Sequence, residues 1–368
     1  MPATPSVRPP RWRTAVAATL AALVPLASGC APTPPGGPAQ LYLDQMPDIS
    51  PVVTPQDDPI YWGAAPNIDP NFGGVLYAGT PQPQQDPRPA LDANGNQRLR
   101  MWMADPNDGR TNRPAIIWIH GGGFAAGIDS MWGLASGTGY EYAKRGYVGF
   151  SLEYRINTTL VGTKALCQWV QDNADPEDPL WLSRYDTCKN NIQSATRDAL
   201  AAVRFLRANA ATYGIDPDRI AVAGFSAGAV TSVGTAYRSD DTGSVSYFVG
   251  DDPGANSEPQ AVLGASGCLF PYDPLGGLPE IGSGDAPISQ IASRYDQAVD
   301  YSCTANTTST ARAAGLVAEL TSYCTSNLHA AKLYEPNKVA TDQQWTTFLA
   351  RWLDLRDDVR GPTAEALC

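Results

Sequence analysis

Ile220-Ala221-Val222-Ala223-Gly224-Phe225-Ser226-Ala227-Gly228 is the stretch on which the fold turns. Its first half is a short apolar run, the pattern of a strand buried on both faces. Its second half is a Gly-x-Ser-x-Gly run, and Ala227 to Tyr237 then restarts as a helix. A serine at such a strand-to-helix junction stands on a tight turn whose crowded backbone needs small neighbours, with a helix N-terminus behind its hydroxyl. The plainer reading is a capping serine. The strand running straight into the helix favours a nucleophile. Gly264-Ala265-Ser266-Gly267-Cys268 is a poor imitation, because it lacks the closing glycine.

Working outward, the same alternation recurs. Ala115 to Ile119 and Tyr147 to Leu152 read as strands, with the end of a helix at Tyr140 to Arg145 closed by Gly146. Ser194 to Tyr213 is the clearest helix, with Ala199, Val203 and Leu206 at helical spacing and Gly214 as a left-handed cap. Ile215 to Asp218 reads as a turn. Ala261 to Ala265, Pro287 to Ala292 and Val317 to Tyr323 read as later strands. Gln343 to Leu355 is an amphipathic helix with Trp345, Phe348, Leu349 and Trp352 on one side. Near the start, Gly73 to Ala78 and Gln97 to Met103 look like strands, after an extended arm at Leu41 to Asp69. Strands alternating with helices predict an α/β fold with a mostly parallel central sheet and helices on both faces.

A second motif follows the strand Ala115 to Ile119. In His120-Gly121-Gly122-Gly123-Phe124, three glycines let backbone N–H groups converge on one point without side chains in the way. Such a point is an oxyanion hole, with Gly122 and Gly123 as donors and the N–H of Ala227 as a third.

The 368 residues suffice for one large domain or two small ones, and 43% of them are hydrophobic, enough for a sizeable core. The formal net charge of -11 with scattered basic residues argues against nucleic acid as a partner. Arg8, Arg11 and Arg13 followed by the apolar run Ala15 to Leu26 read as an export signal, too short for a membrane span. It ends in Leu26-Ala27-Ser28-Gly29-Cys30, where small residues before a cysteine resemble a bacterial lipobox. The expected layout is a lipoprotein-type signal peptide at 1–29, lipidation at Cys30, a Pro/Gly-rich tether at 30–40 and a catalytic domain at 41–368. That layout predicts a cell-envelope lipoprotein at the outer face of a bacterial membrane. An ordinary signal peptide would instead give a secreted protein.

Six cysteines remain: Cys167, Cys188, Cys268, Cys303, Cys324 and Cys368. An even number in an exported chain suggests three disulfides. Cys167 and Cys188 share one irregular segment, so they are the expected pair. No cysteine or histidine spacing suggests a metal site.

Ile117-Trp118-Ile119-His120-Gly121-Gly122-Gly123-Phe124, Ser151-Leu152-Glu153-Tyr154-Arg155 and Asp216-Pro217-Asp218-Arg219-Ile220 leading into Gly224 to Gly228 together resemble α/β-hydrolase carboxylesterases and lipases, over roughly Leu99 to Leu355. The resemblance implies a triad in the chain order serine, acid, histidine. His120 opens the glycine loop, where the resemblance gives it a scaffolding role. His329, the other of two histidines, is then the general base. The implied fold sets the acid just past the strand Pro287 to Ala292, which selects Asp296, holds Asp300 in reserve and puts Asp285 at the wrong end.

The implied activity is hydrolysis of a small-molecule or lipid-like carboxylic ester through an acyl-enzyme on Ser226, with neither metal nor organic cofactor. A peptidase or amidase on the same triad, or a non-catalytic binding module, would be the alternatives. The long segment Arg155 to Asn191 reads either as a disulfide-braced wall over the site or as a surface excursion.

Overall fold

A computed structural model describes residues 60–65, 97–106, 109–125, 135–156, 160–239, 254–270 and 281–355. Cys30, the leader, the tether and the expected strand Gly73 to Ala78 lie outside these residues.

Strand β3 (Arg113–Ile119) shows why the chain layers as it does. All seven residues are buried. Successive side chains of a strand point to opposite faces, and here Ala115, Ile117 and Ile119 join one apolar cluster while Ile116 and Trp118 join another. Strand β7 (Ile215–Phe225) divides in the same way, with Ile220 and Val222 on the first face and Ala221, Ala223 and Phe225 on the second. A strand apolar on both faces needs a cover on each.

Among the described residues, eight strands form one sheet. Besides β3 and β7 these are β1 (Ile60–Ala65), β2 (Gln97–Ala104), β4 (Val148–Leu152), β8 (Ala261–Ala265), β9 (Ile288–Ser293) and β10 (Ala318–Tyr323). Their order is β1-β2-β4-β3-β7-β8-β9-β10. β1 with β2 and β2 with β4 are antiparallel, and every later pair is parallel. A short hairpin, β5 (Leu160–Val161) and β6 (Lys164–Ala165), stands apart.

Helices cover both faces. On the first lie α3 (Pro179–Ala208) and α4 (Ala227–Tyr237), through Val203, Leu206, Val230 and Val233. On the second lie the one-turn helix α1 (Tyr140–Ala143) and the closing helix α7 (Lys338–Trp352). There Trp118 packs against Tyr142, Phe225 and Trp345 at centroid distances of 5.1, 6.2 and 6.5 Å. Truncating a fully buried aromatic to alanine costs about 3–5 kcal/mol, so this cluster anchors the second face. Among the described residues the other α-helices are α2 (Leu166–Asp172), α5 (Tyr301–Ala313) and α6 (Ala331–Tyr334).

Several expectations needed correction. The arm read at Leu41 to Asp69 contains edge strand β1. The turn at Ile215 to Asp218 is a bulge within β7, since Arg113 pairs with Ile215 and Ala115 with Ile220. Helix α3 begins fifteen residues before Ser194, at Pro179, whose nitrogen is at a position that donates nothing in a helix, and the Asp178 carboxylate accepts the Leu180 N–H at 3.0 Å. Gly214 (φ +64°) does not cap α3 but ends the turn beyond it. The segment Arg155 to Asn191 is therefore largely helical. Cys167 on α2 is bonded to Cys188 on α3, and Cys268 to Cys303.

Candidate active site

No residue separates β7 from α4 except Ser226, and the backbone pays for that economy in conformation. Ser226 has φ +57° and ψ -123°, a region that side-chain-bearing residues rarely adopt. Its N–H donates to the Ala265 carbonyl at 3.0 Å, and its carbonyl accepts the Val230 N–H at 2.9 Å. The flanking glycines are required by contact: a Cβ on Gly224 would lie 2.3 Å from the Gly228 backbone, and one on Gly228 would lie 2.1 Å from the Ile119 carbonyl oxygen.

His329 reaches the serine from the loop between β10 and α6. Its Nε2 is 2.7 Å from Ser226 Oγ, and its Nδ1 is 2.8 and 3.0 Å from the two carboxylate oxygens of Asp296. A carboxylate facing Nδ1 holds the proton there, leaving the Nε2 lone pair to accept the serine hydroxyl. The Asp296 side chain is only 1% exposed. Burial alone would raise its pKa. The hydrogen bond and charge of His329, the Ala298 N–H and the Ser266 hydroxyl outweigh that and hold it below the ordinary carboxylate value. The Ala298 and Val299 N–H groups donate to Asp296 Oδ1 at 2.8 and 3.1 Å. The other two acids are elsewhere. Asp300 caps α5 through the Ser302 N–H at 2.7 Å, and Asp285 takes the Gly282 N–H at 2.7 Å before β9 begins.

The glycine loop lies against the elbow. A Cβ on Gly121 would come to 3.1 Å from Ser226 Cβ and 2.9 Å from the Phe225 carbonyl oxygen. Gly122, Gly123 and Phe124 follow with φ of 117°, 63° and 62°, and the Ala125 N–H closes the turn on the Gly122 carbonyl at 3.1 Å. Three successive residues at positive φ explain why glycine occupies two of them.

Solved structures share this architecture. Esterase 2 of Thermogutta terrifontis, phosphorylated by paraoxon, superposes with a TM-score of 0.52 at 19% identity, over 71% of this chain and 91% of that one. Its form phosphoramylated by tabun gives 0.52 at 18% identity, with the same two coverages. The chain has the α/β-hydrolase fold. The BD-FAE family model matches residues 184–267, which take in the elbow. Among curated proteins, phenmedipham hydrolase of Pseudarthrobacter oxydans is 30% identical over 132 residues, 36% of this chain and 21% of that protein. Gut esterase 1 of Caenorhabditis briggsae is 26% identical over 143 residues, 38% of this chain and 21% of that protein. The chain thus spans about a fifth of the length of these curated relatives. The resemblance read from the sequence to HGGG- and GxSxG-bearing esterases is borne out.

Two residues near the site escaped the sequence. Ser266, at the end of β8, is buried and has the same φ of +57° as Ser226. Its Oγ accepts the N–H of Ala330, the residue after His329, at 3.0 Å, and its hydroxyl donates to Asp296. It therefore ties the acid loop to the histidine loop. Its signal in the sequence is the near-copy of the elbow motif at Gly264 to Cys268, which lacks only the closing glycine. Tyr154 stacks on the His120 ring at 4.4 Å and donates its hydroxyl to the His120 carbonyl at 3.0 Å, holding the start of the glycine loop.

His120 also sets an acid limit on the folded chain. Burial lowers its pKa from 6.5 to about 4, only partly offset by its hydrogen bond to the Gly121 carbonyl. The neutral ring is the folded form, whereas the unfolded chain takes up a proton as pH falls through 6.5. Its contribution is therefore whole above pH 6.5 and is lost progressively down to about pH 4. Urea unfolding should show the fall in stability between pH 7 and pH 4.5 to be smaller by about 2 kcal/mol in His120→Asn than in wild type. Equal falls would contradict a buried neutral ring.

Proposed function

We propose that this chain is a serine carboxylic-ester hydrolase, of the esterase or lipase kind, acting on a small-molecule or lipid-like ester. The observation that carries the reading is the unbroken line from Asp296 through His329 to Ser226, with Nε2 at 2.7 Å from Oγ. That distance lets the imidazole take the hydroxyl proton as Oγ attacks the ester carbonyl. Asp296 keeps the ring oriented and stabilises the imidazolium. The N–H groups of Gly122, Gly123 and Ala227 receive the oxyanion as its charge develops. His329 then gives its proton to the departing alcohol, leaving the acyl group on Ser226. In the second half His329 draws a proton from water as the water oxygen attacks the acyl carbonyl, and returns it to Ser226 Oγ as the bond to the acyl group breaks and the acid leaves.

The relatives named for ester hydrolysis support an ester over an amide. Turnover of a p-nitrophenyl ester and the p-nitroanilide of the same acyl group tests the choice. The ester should be consumed at least a hundred-fold faster, on the order of a single strong catalytic contribution. Comparable rates on both would point to an amidase instead.

We propose further that the protein is exported, either to the cell envelope as a lipoprotein or as a secreted enzyme. Its disulfides suit an oxidising compartment, and among the described residues no helix is long and apolar enough to cross a membrane. A lipid on Cys30, after removal of residues 1–29, would tether the catalytic domain through the 30–40 linker. Intact mass of the membrane-extracted protein decides this, since an unmodified N-terminus elsewhere rules the anchor out.

A further inference from the structure

Helix α2 is fixed on one side and busy on the other. It buries Leu166 and Val170 one turn apart. Its Cys167 is bonded to Cys188 of α3, and Trp181 Nε1–H donates to the Val170 carbonyl at 2.8 Å. Gln168 and Gln171, three residues apart and so neighbours on one helix surface, reach the loop that follows Asp296. Gln168 Nε2 donates to the Gln297 carbonyl at 3.3 Å. With its amide nitrogen turned to the Ala298 carbonyl (2.9 Å), Gln171 also accepts the Asp300 N–H on its oxygen (3.1 Å).

Two side chains thus hold the backbone of residues 297, 298 and 300. The same short loop supplies both N–H groups that pin Asp296 Oδ1. Just before α2, Ala165 lies against the other side of the site: a Cβ on Gly123 would come to 2.9 Å from Ala165 Cβ. One braced segment therefore touches both the glycine loop and the acid loop.

We propose that α2, stapled to α3 by the Cys167–Cys188 bond, is a positioning strut that fixes the acid loop, and through it the Asp296 carboxylate, relative to the glycine loop. The proposal rests on the esterase reading above. Gln168 and Gln171 are positioning residues, acting through the loop backbone and touching no reacting atom. Their hydrogen bonds lie at the surface and add little to global stability. Their effect is on geometry, where a displacement of about 1 Å can cost as much as a hundred-fold in rate.

The test uses two double variants of the full chain, Gln168→Ala with Gln171→Ala and Cys167→Ser with Cys188→Ser. Each is assayed for p-nitrophenyl acetate turnover and for the rate and final extent of labelling by a fluorophosphonate. In both, kcat and the labelling rate constant should fall together by about ten-fold, while KM stays within about two-fold and every chain is eventually labelled. Wild-type kcat and labelling rate in either variant would overturn the strut. So would a lower kcat explained by a smaller labelled fraction, which signals lost folding. Wild-type protein that never labels would sink the esterase reading itself.

Discussion

Ser226→Ala should fold normally and lose ester turnover by about 10⁶-fold, the scale of loss when the nucleophile of a coupled triad is removed. The hydroxyl is the only group deleted. Alanine meets the same conformational penalty at φ +57° as serine, and the bonds that hold the elbow are backbone bonds to Ala265 and Val230. The thermal midpoint should therefore stay within a few degrees of wild type. Residual rate above water would come from binding and from the N–H groups of the glycine loop. Near-wild-type turnover in the folded variant would falsify Ser226 as the nucleophile.

Asp296→Asn should cost roughly 10³ to 10⁴-fold, and Asp285→Asn almost nothing. An asparagine can offer its NH2 to Nδ1, and that turns the imidazole to the tautomer whose Nε2 carries a proton and cannot accept one from Ser226. Shape is preserved while the chemistry stops. Asp285 lies before β9 and Asp296 beyond it, so they are separated by the strand's length, on the order of 15–20 Å. Assaying the two variants side by side, with circular dichroism on each, separates them. An inactive Asp285→Asn with an active Asp296→Asn would reverse the assignment.

Local pattern made the centre of the molecule legible. The run from Ile220 to Gly228 carries its own strand, turn and helix start, and the buried strands on either side of it are short apolar runs. With two histidines in the chain and one already in the glycine loop, the resemblance to esterases left His329 as the base. Asp296 followed from the polarity of a single strand, β9. What stayed hidden depends on contacts that no local pattern encodes. Ser266 matters through bonds to residues 30 and 64 positions away, which only the sheet brings together. The Cys268–Cys303 bond joins the loop after β8 to α5, 35 residues further along the chain. Edge strand β1 sits in a Pro- and Asp-rich stretch that hides its pairing with β2. Helix α3 was underestimated because its first half is polar, although Asp178-Pro179 carried a start signal that could have been read.

Ser226 is expected to form the acyl-enzyme. Treatment with a fluorophosphonate, followed by intact mass and peptide mapping, tests it directly. One adduct per chain, on the peptide holding Gly224 to Gly228 and absent from Ser226→Ala, is the expected result. An unlabelled wild-type chain, or an adduct on Ser266 or any other residue, would contradict it.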